Sequence, residues 1–352
     1  MSSFFSSKLS HLVPYTPGEQ PKDMKYIKLN TNESPFAPSQ TAQRLSAEAA
    51  SKLQLYSDPE CRDLVNKAAE YFCVDTDQII FTNGSDEVLN FAFMAFCESG
   101  AVFPDITYGF YSVFAELNGV EFEEIPLKSD FSVDINDYIG VNKTVFLANP
   151  NAPTGITLGI EDIEKIVKSN PNNVVVIDEA YVDFGAESVI PLIDKYDNLL
   201  VTQTFSKSRS LAGGRLGFGI GSKSIIRDLN TIKYSTNPYN VNSMTAAAGI
   251  GSLSDDKYIK SNCEIIKQNR EYLTKELEKL DFTMTDSCAN FIFAKHKSIG
   301  GKDIYLRLKE KGVLVRHFDK EMLKDYTRIT IGSKEQLDIL IDKIKEILKE
   351  LL

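Results

Sequence analysis

Histidine is scarce in this 352-residue chain: His11, His296 and His317 are the whole set. They offer no zinc-ligand pattern. The five cysteines, Cys61, Cys73, Cys97, Cys263 and Cys288, are odd in number and show no C-x-x-C spacing. They read as reduced thiols, mostly in or near the core. Positive charge is short as well: 39 Lys and Arg against 49 Asp and Glu leave a net charge of −10. That balance argues against nucleic acid as a main partner, because a phosphate backbone needs a basic face. Small anions stay open, since a few local arginines decide their binding. Long apolar runs are missing too. The longest, Phe91–Cys97, is far too short to span a bilayer. The first residues, Met1-Ser-Ser-Phe-Phe-Ser-Ser-Lys8, lack the apolar stretch of a signal peptide. The expected compartment is the cytoplasm. No internal repeat or low-complexity segment stands out.

The length suggests about two domains on the usual soft prior. Residues 1–40 are rich in turn formers (Pro14, Pro17-Gly18, Pro21, Pro35, Pro38) and read as an extended arm. A short helix before Pro14 fits that arm. Helices are expected over 41–55 and 60–73, the second with Leu64, Val65, Ala68, Ala69 and Phe72 on one face. Short apolar strands then alternate with helical segments: Ile79–Thr82, Thr144–Asn149, Val174–Asp178, Leu199–Thr204 and Leu216–Ile220. The pattern predicts an α/β fold with a large, mostly parallel sheet and helices on both faces. The short connection before Leu216 allows that strand to run antiparallel. A long amphipathic helix over 255–280 opens a smaller α+β unit. Strands at 290–294, 313–316 and 328–331 follow, with helices at 302–311 and 334–351. The expected division is an arm (1–40), a large domain (41–254) and a small domain (255–352), with the arm packed on the small domain.

The densest chemistry lies in Thr204-Phe-Ser-Lys-Ser-Arg-Ser-Leu-Ala-Gly-Gly-Arg215. It sets Lys207 beside the hydroxyls of Thr204 and Ser206, with Arg215 after a small-residue turn. Upstream, the apolar strand Val174–Ile177 ends in Asp178, at the carboxyl edge where open α/β sheets bind ligands. A lysine amine, phosphate-binding groups and a strand-end carboxylate are what pyridoxal phosphate requires. Each residue has a plainer reading. Lys207 alone would be a solvated lysine, Asp178 a helix N-cap and Tyr181 a packing aromatic. Asn83-Gly-Ser-Asp-Glu87 follows a strand and opens an apolar helix, so the amides of Gly84, Ser85 and Asp86 face an anion or simply cap that helix. Tyr108 either stacks on a ligand ring or joins the core. Arg316 and Arg328, on short apolar strands, need either carboxylate partners or a bound anion.

Together these stretches resemble the fold-type I pyridoxal-phosphate aminotransferases, and their histidinol-phosphate branch most closely. The resemblance runs the length of the chain in order. It includes Pro14-Tyr-Thr-Pro-Gly-Glu-Gln-Pro21, Lys28-Leu-Asn-Thr-Asn-Glu-Ser-Pro35, Tyr56-Ser-Asp-Pro-Glu60 and Asn149-Pro-Asn-Ala-Pro-Thr-Gly155. It continues through Asp178-Glu-Ala-Tyr181, the Lys207 motif, Pro238-Tyr-Asn-Val-Asn242, Gly312–Arg316 and Tyr326–Gly332. It implies pyridoxal 5'-phosphate held by Lys207, with Asp178 on the ring nitrogen, Tyr181 on the phenolic oxygen and Tyr108 stacked on the ring. Gly84, Ser85, Ser206 and Arg215 would hold the phosphate, with Asp86, Asn151 and Thr204 also at the cofactor. Tyr56 would reach the cofactor phosphate of a second subunit, which implies a homodimer with shared sites. Tyr15, Asn32, Arg316 and Arg328 would face the substrate, a phosphorylated amine, with 2-oxoglutarate and glutamate as the other pair. One departure is Ala152, where relatives carry an asparagine on the phenolic oxygen. Either Asn149 or Asn151 compensates, or Tyr181 acts alone. Ile106 is a smaller one, standing where relatives often have proline. The resemblance leaves room for a threonine-phosphate decarboxylase or an aromatic aminotransferase. A cofactor-sensing regulator is disfavoured because no basic or helix-turn-helix-like segment is read before residue 40 and the chain is acidic.

Overall fold

The computed structural model describes Ser2 and residues 4–351. A two-residue strand in the arm, β1 (Ile27–Lys28), precedes helices α1 (Gln40–Ala50) and α2 (Arg62–Phe72). The large sheet and its helices follow: β2 (Ile79–Asn83), α3 (Ser85–Phe96), β3 (Ala101–Pro104), α4 (Phe110–Asn118), β4 (Phe122–Ile125), β5 (Thr144–Ala148) and α5 (Ile160–Ser169). It continues through β6 (Val175–Asp178), β7 (Leu199–Thr204), β8 (Leu216–Gly221), α6 (Lys223–Thr236) and α7 (Ser243–Ser254). The remainder is α8 (Asp256–Glu278), β9 (Phe282–Met284), β10 (Phe291–His296), α9 (Gly301–Glu310), β11 (Val313–Leu314), β12 (Arg316–His317), β13 (Tyr326–Thr330) and α10 (Lys334–Leu351).

The seven-stranded sheet runs β2-β8-β7-β6-β5-β3-β4. Only β8 is reversed, pairing antiparallel with both β2 and β7. The other six strands therefore point one way, and their carboxyl ends meet along one edge. Side chains alternate across this sheet as strand geometry demands. Val145, Val175, Ile177, Leu199 and Val201 pack with α2, α5 and α7 on one face. Phe146, Val176 and Leu200 pack with α3, α4 and α6 on the other. A four-stranded antiparallel sheet, β12-β13-β10-β9, shares a separate core with α8, α9 and α10.

Helix boundaries follow local chemistry. The hydroxyl of Ser39 accepts from Ala42 N at the start of α1, Ser222 from Ile225 N at α6, and Asn242 from Thr245 N at α7. α1 stops at Ala50 rather than 55, where Ser51 N turns back to the Glu48 and Ala49 carbonyls. The expected helix before Pro14 is a single 3-10 turn at Ser7–Leu9. Strands β3 and β4 were not legible as strands. β3 is four residues ending in Pro104, and β4 is an edge strand whose Glu123 and Glu124 are exposed. The stretch 313–316 breaks at Val315, because β11 pairs with the arm strand β1 while β12 joins β13. The arm is thereby tied to the small sheet, and Glu19 adds hydrogen bonds from Tyr305 and Lys309. Cys61, Cys97 and Cys263 are buried, whereas Cys73 is exposed. Among the described residues, no helix is long and apolar enough to cross a membrane.

Arg270 of α8 joins the two sheet systems. Its Nη1 donates to Phe184 O at 2.9 Å, in the turn after β6, and to Ala289 O at 2.6 Å, just before β10. No carboxylate pairs with it among the described residues. Arg270→Ala removes two charge-assisted bonds and is expected to destabilise the fold by about 2–3 kcal/mol, read from urea unfolding midpoints.

Candidate active site

The common carboxyl edge brings distant residues together. β7 ends at Thr204, and Phe205 N and Leu211 N close a tight loop through bonds to Leu216 O and Phe205 O, both 2.9 Å. Phe205 is fully buried against Phe81 and Phe218. Ser208 bonds Asp183, and Arg209, nearly fully buried, pairs with the same carboxylate at 3.2 Å. The loop so pinned turns Lys207 inward, where Nζ donates to Thr31 O at 3.2 Å. This is not the solvated lysine of the plainer reading.

Asp178 ends β6 beside the β5 residue Ala148. It is 5% exposed, and burial pushes its carboxyl up to about 7 despite bonds from Tyr111 Oη at 3.1 Å and Ala180 N at 3.2 Å. Burial also drives the Tyr111 hydroxyl far above its ordinary range, so Tyr111 stays a donor to the carboxylate. Motif spacing does not reveal this partner, because a buried tyrosine in an aromatic helix looks like core. Neighbouring Glu179, also pushed up to about 7 by burial, is held by Ser188, Val189 N and Gln203 and takes no part in the cavity.

The inner cavity is lined by Ser85, Asp86, Tyr108, Asp178, Lys207 and Arg215. Tyr181, Thr204 and Ser206 complete its polar wall, and Ala148, Pro150, Ala152 and Ala180 supply small apolar surfaces. At one end, Arg215 donates to Asp86 Oδ2 at 3.0 Å and reaches Ser206 Oγ at 3.4 Å, while Tyr108 Oη donates to Asp86 Oδ1 at 2.6 Å. Burial, then Asp86, holds the Tyr108 hydroxyl protonated. Gly84 carries φ +78°, and Gly217 lies directly behind it. A Cβ on Gly217 would sit 2.1 Å from Ser85 N and 2.4 Å from Gly84 C, so only glycine lets the α3 N-terminus reach the cavity.

The group that the resemblance implies fits these residues. A cationic cup with hydroxyls and a helix N-terminus suits a phosphate. The same lining offers the buried carboxyl of Asp178 to a ring nitrogen, and the amine of Lys207. Asn151 needs correcting. It does not line the cavity; its amide donates to Ile106 O and Thr154 Oγ1 and accepts from Thr107 Oγ1. Asn149 is likewise engaged with the Leu158 backbone. Neither replaces the asparagine missing at Ala152.

An outer cleft of about 620 Å³ adjoins the cavity, and Tyr15, Asn32, Tyr181, Lys207, Arg316 and Arg328 all line it. Arg328 Nη2 donates to Asn30 O at 3.0 Å, and its Nε is buried without a partner. Arg316 donates to the Thr16 and Pro17 carbonyls. The two guanidinium groups lie 5.6 and 5.7 Å from the Phe318 ring. Neither pairs with a carboxylate among the described residues, so the ion-pair reading fails for both. Burial lowers the Arg328 pKa, an electrostatic cost that an anion would offset. Tyr15 packs on Phe110 at 4.2 Å. Tyr56 is not at this chain's cavity: it is 85% exposed, stacked on Tyr239 at 4.8 Å. Phe318, Thr31 and Tyr111 are the contributors that motif reading missed.

Two outcomes follow from this geometry. Gly217→Ala should weaken pyridoxal phosphate binding at least about tenfold by displacing the Gly84–Ser85 turn, measured by cofactor titration. Gly159→Ala, with open space around its added methyl, should bind normally. Secondly, the folded protein holds a proton on Asp178 that the unfolded chain releases between about pH 4 and pH 7. Stability of the cofactor-free protein from this group therefore falls as pH rises through that window. Asp178→Asn should make the cofactor-free protein more stable than wild type at pH 8, by roughly 2–4 kcal/mol, with the gain vanishing near pH 4 in thermal melts.

Comparison with known proteins agrees with this arrangement. Residues 24–344 match the family model for aminotransferase class I and II. A histidinol-phosphate aminotransferase from Brachyspira hyodysenteriae is 49% identical over 353 residues, covering 99% of this chain and 100% of that protein. The solved histidinol-phosphate aminotransferase of Sinorhizobium meliloti, in complex with pyridoxal-5'-phosphate, superposes with a TM-score of 0.91 at 23% identity, covering 100% of this chain and 99% of that one. The L-threonine-O-3-phosphate decarboxylase of Porphyromonas gingivalis shares the fold with a TM-score of 0.81 at 20% identity, over 92% of this chain and 99% of that one. By sequence and by architecture, the chain belongs to the class I and II aminotransferase family.

Proposed function

We infer that the protein is a pyridoxal-phosphate-dependent transaminase that converts L-histidinol phosphate and 2-oxoglutarate to imidazole acetol phosphate and L-glutamate. The full-length likeness to curated histidinol-phosphate aminotransferases supports the activity. The observation that carries the substrate class is the pair of guanidinium groups, Arg316 and Arg328, without carboxylate partners in the cleft beside Lys207. Histidinol phosphate has no α-carboxylate, and its phosphate ester is the anion such a pair would hold. The same pair would accept a carboxylate of 2-oxoglutarate.

When bound, the cofactor supplies a carbonyl for the amine and a ring that takes up the electrons left by a departing proton. The residues of the chain would do the rest. Lys207 Nζ would hold the cofactor and, as a free amine, would move the proton at the substrate carbon. Asp178, ionised opposite a protonated ring nitrogen, keeps that nitrogen charged; burial alone would leave it half protonated near neutral pH. Tyr181 donates to the phenolic oxygen. Ser85, Ser206 and Arg215 would hold the phosphate, and Tyr108 would lie against the ring. The arginine pair would hold the substrate anion and so orient its amine toward Lys207. The exposed Tyr56, with Leu53 and Leu55 also exposed nearby in sequence, supports a homodimer in which Tyr56 reaches the cofactor phosphate of the other subunit.

Adding histidinol phosphate to the cofactor-loaded protein without acceptor should bleach its visible band, and 2-oxoglutarate should restore it. Lys207→Ala should abolish turnover, and Arg328→Ala should raise KM for histidinol phosphate at least about tenfold. An unchanged band together with carbon dioxide release from threonine phosphate would move the assignment to the decarboxylase chemistry of the same fold.

A further inference from the structure

Tyr181 lines both the inner cavity and the outer cleft, yet its hydroxyl has a single hydrogen-bond partner among the described residues, Asn32. Asn32 Nδ2 donates to Tyr181 Oη at 2.9 Å. Asn32 is 1% exposed, and every polar group it owns is engaged. Its backbone N donates to Thr330 Oγ1 at 2.9 Å, its carbonyl accepts from Asn290 Nδ2 at 3.0 Å, and its Oδ1 accepts from Thr330 Oγ1 at 3.0 Å.

Thr330 Oγ1 accepts the Asn32 N–H and donates its own proton to Asn32 Oδ1. The oxygen end of the amide is thereby fixed on Thr330, and the NH2 end faces Tyr181. A phenol that accepts from an amide keeps its own hydrogen free for another acceptor. The edge-on ring of Phe291, 5.1 Å from the Tyr181 ring centre, limits how that ring can shift. Asn32 holds φ +55°, a left-handed conformation that asparagine and glycine tolerate and most side chains do not.

We propose that Asn32 is a positioning residue that acts through Tyr181, aiming the tyrosine hydrogen at the cofactor's phenolic oxygen in place of the side-chain amide that Ala152 lacks. It therefore does not bind substrate through its side chain, although it lines the outer cleft. Asn149 and Asn151 are committed elsewhere, so Asn32 is the one side-chain amide on the Tyr181 hydroxyl among the described residues. The inference rests on the reading of the inner cavity as the pyridoxal phosphate site.

The test is the pH titration of the visible band of cofactor-loaded protein, in wild type, Asn32→Gly and Thr330→Val. Glycine suits the left-handed backbone and adds no charge; valine keeps the shape of threonine but frees the amide to turn. In both variants the hydrogen bond favouring the anionic phenolic oxygen weakens, so the midpoint should rise, by about one pH unit in Asn32→Gly and by less in Thr330→Val. In a Tyr181→Phe background, Asn32→Gly should move the midpoint no further. kcat should fall more than KM for histidinol phosphate rises. Unmoved midpoints with a raised KM would overturn the proposal in favour of a direct substrate contact. A shift that persists undiminished in the Tyr181→Phe background would also overturn it. If the wild type itself shows no visible band with pyridoxal phosphate, the cofactor reading fails instead.

Discussion

Strand direction is the constraint on which the site depends. Six strands of the large sheet run one way, and the one reversed strand, β8, begins where they end. Gly84 follows β2, Asp178 ends β6, Lys207 follows β7 and Arg215 precedes β8. Reverse any one of these strands and its residue would move to the far edge. The sheet thus assembles a lysine, a carboxyl and an arginine that lie 37 residues or fewer apart in sequence, together with a glycine turn from nearly a hundred residues earlier. Both faces must be covered by helices for such a sheet to be buried, which accounts for the two apolar clusters on either side.

Electrostatics then sorts the edge into two ends. Asp178 lies deep, where burial favours its neutral form unless a cation faces it. Arg215 lies shallower, balanced by Asp86 and bordered by Ser206. A ligand with a basic ring nitrogen and a dianionic phosphate matches that polarity in one orientation only. The outer cleft extends the pattern with Arg316 and Arg328, whose charges are spaced on either side of Phe318 rather than neutralised.

Much of this was legible in the chain because its signals are local. The run Val174–Asp178 reads as a buried strand with a carboxylate at its end, and the Lys207 loop carries its hydroxyls and small residues beside it. The long periodic helix α8 was equally plain, with Ile259, Cys263, Ile266, Leu273 and Leu277 all buried. What could not be read depends on tertiary placement. β3 is only four residues long and ends in proline, β4 exposes two glutamates at its centre, and the stretch 313–316 breaks at Val315 because its two halves pair with different strands. The Tyr111 bond to Asp178 and the bonds that occupy Asn151 depend on which way buried side chains turn, and spacing carries no such information.

The arm segment 30–32 has a consequence for how one site serves two substrates. Arg328 is bonded to the Asn30 carbonyl, and two residues later Asn32 is bonded to Tyr181. Arg328 and Tyr181 are therefore bonded to the two ends of a three-residue segment, braced on Thr330 and Asn290. A phosphate ester and a carboxylate pull differently on a guanidinium, in charge and in reach. Arg328, Lys207 and Tyr181 thus share one short backbone segment, since its middle carbonyl, Thr31 O, accepts from Lys207 Nζ. The groups assigned to the anion, the ring and the proton are in this way all braced on three consecutive residues of the arm.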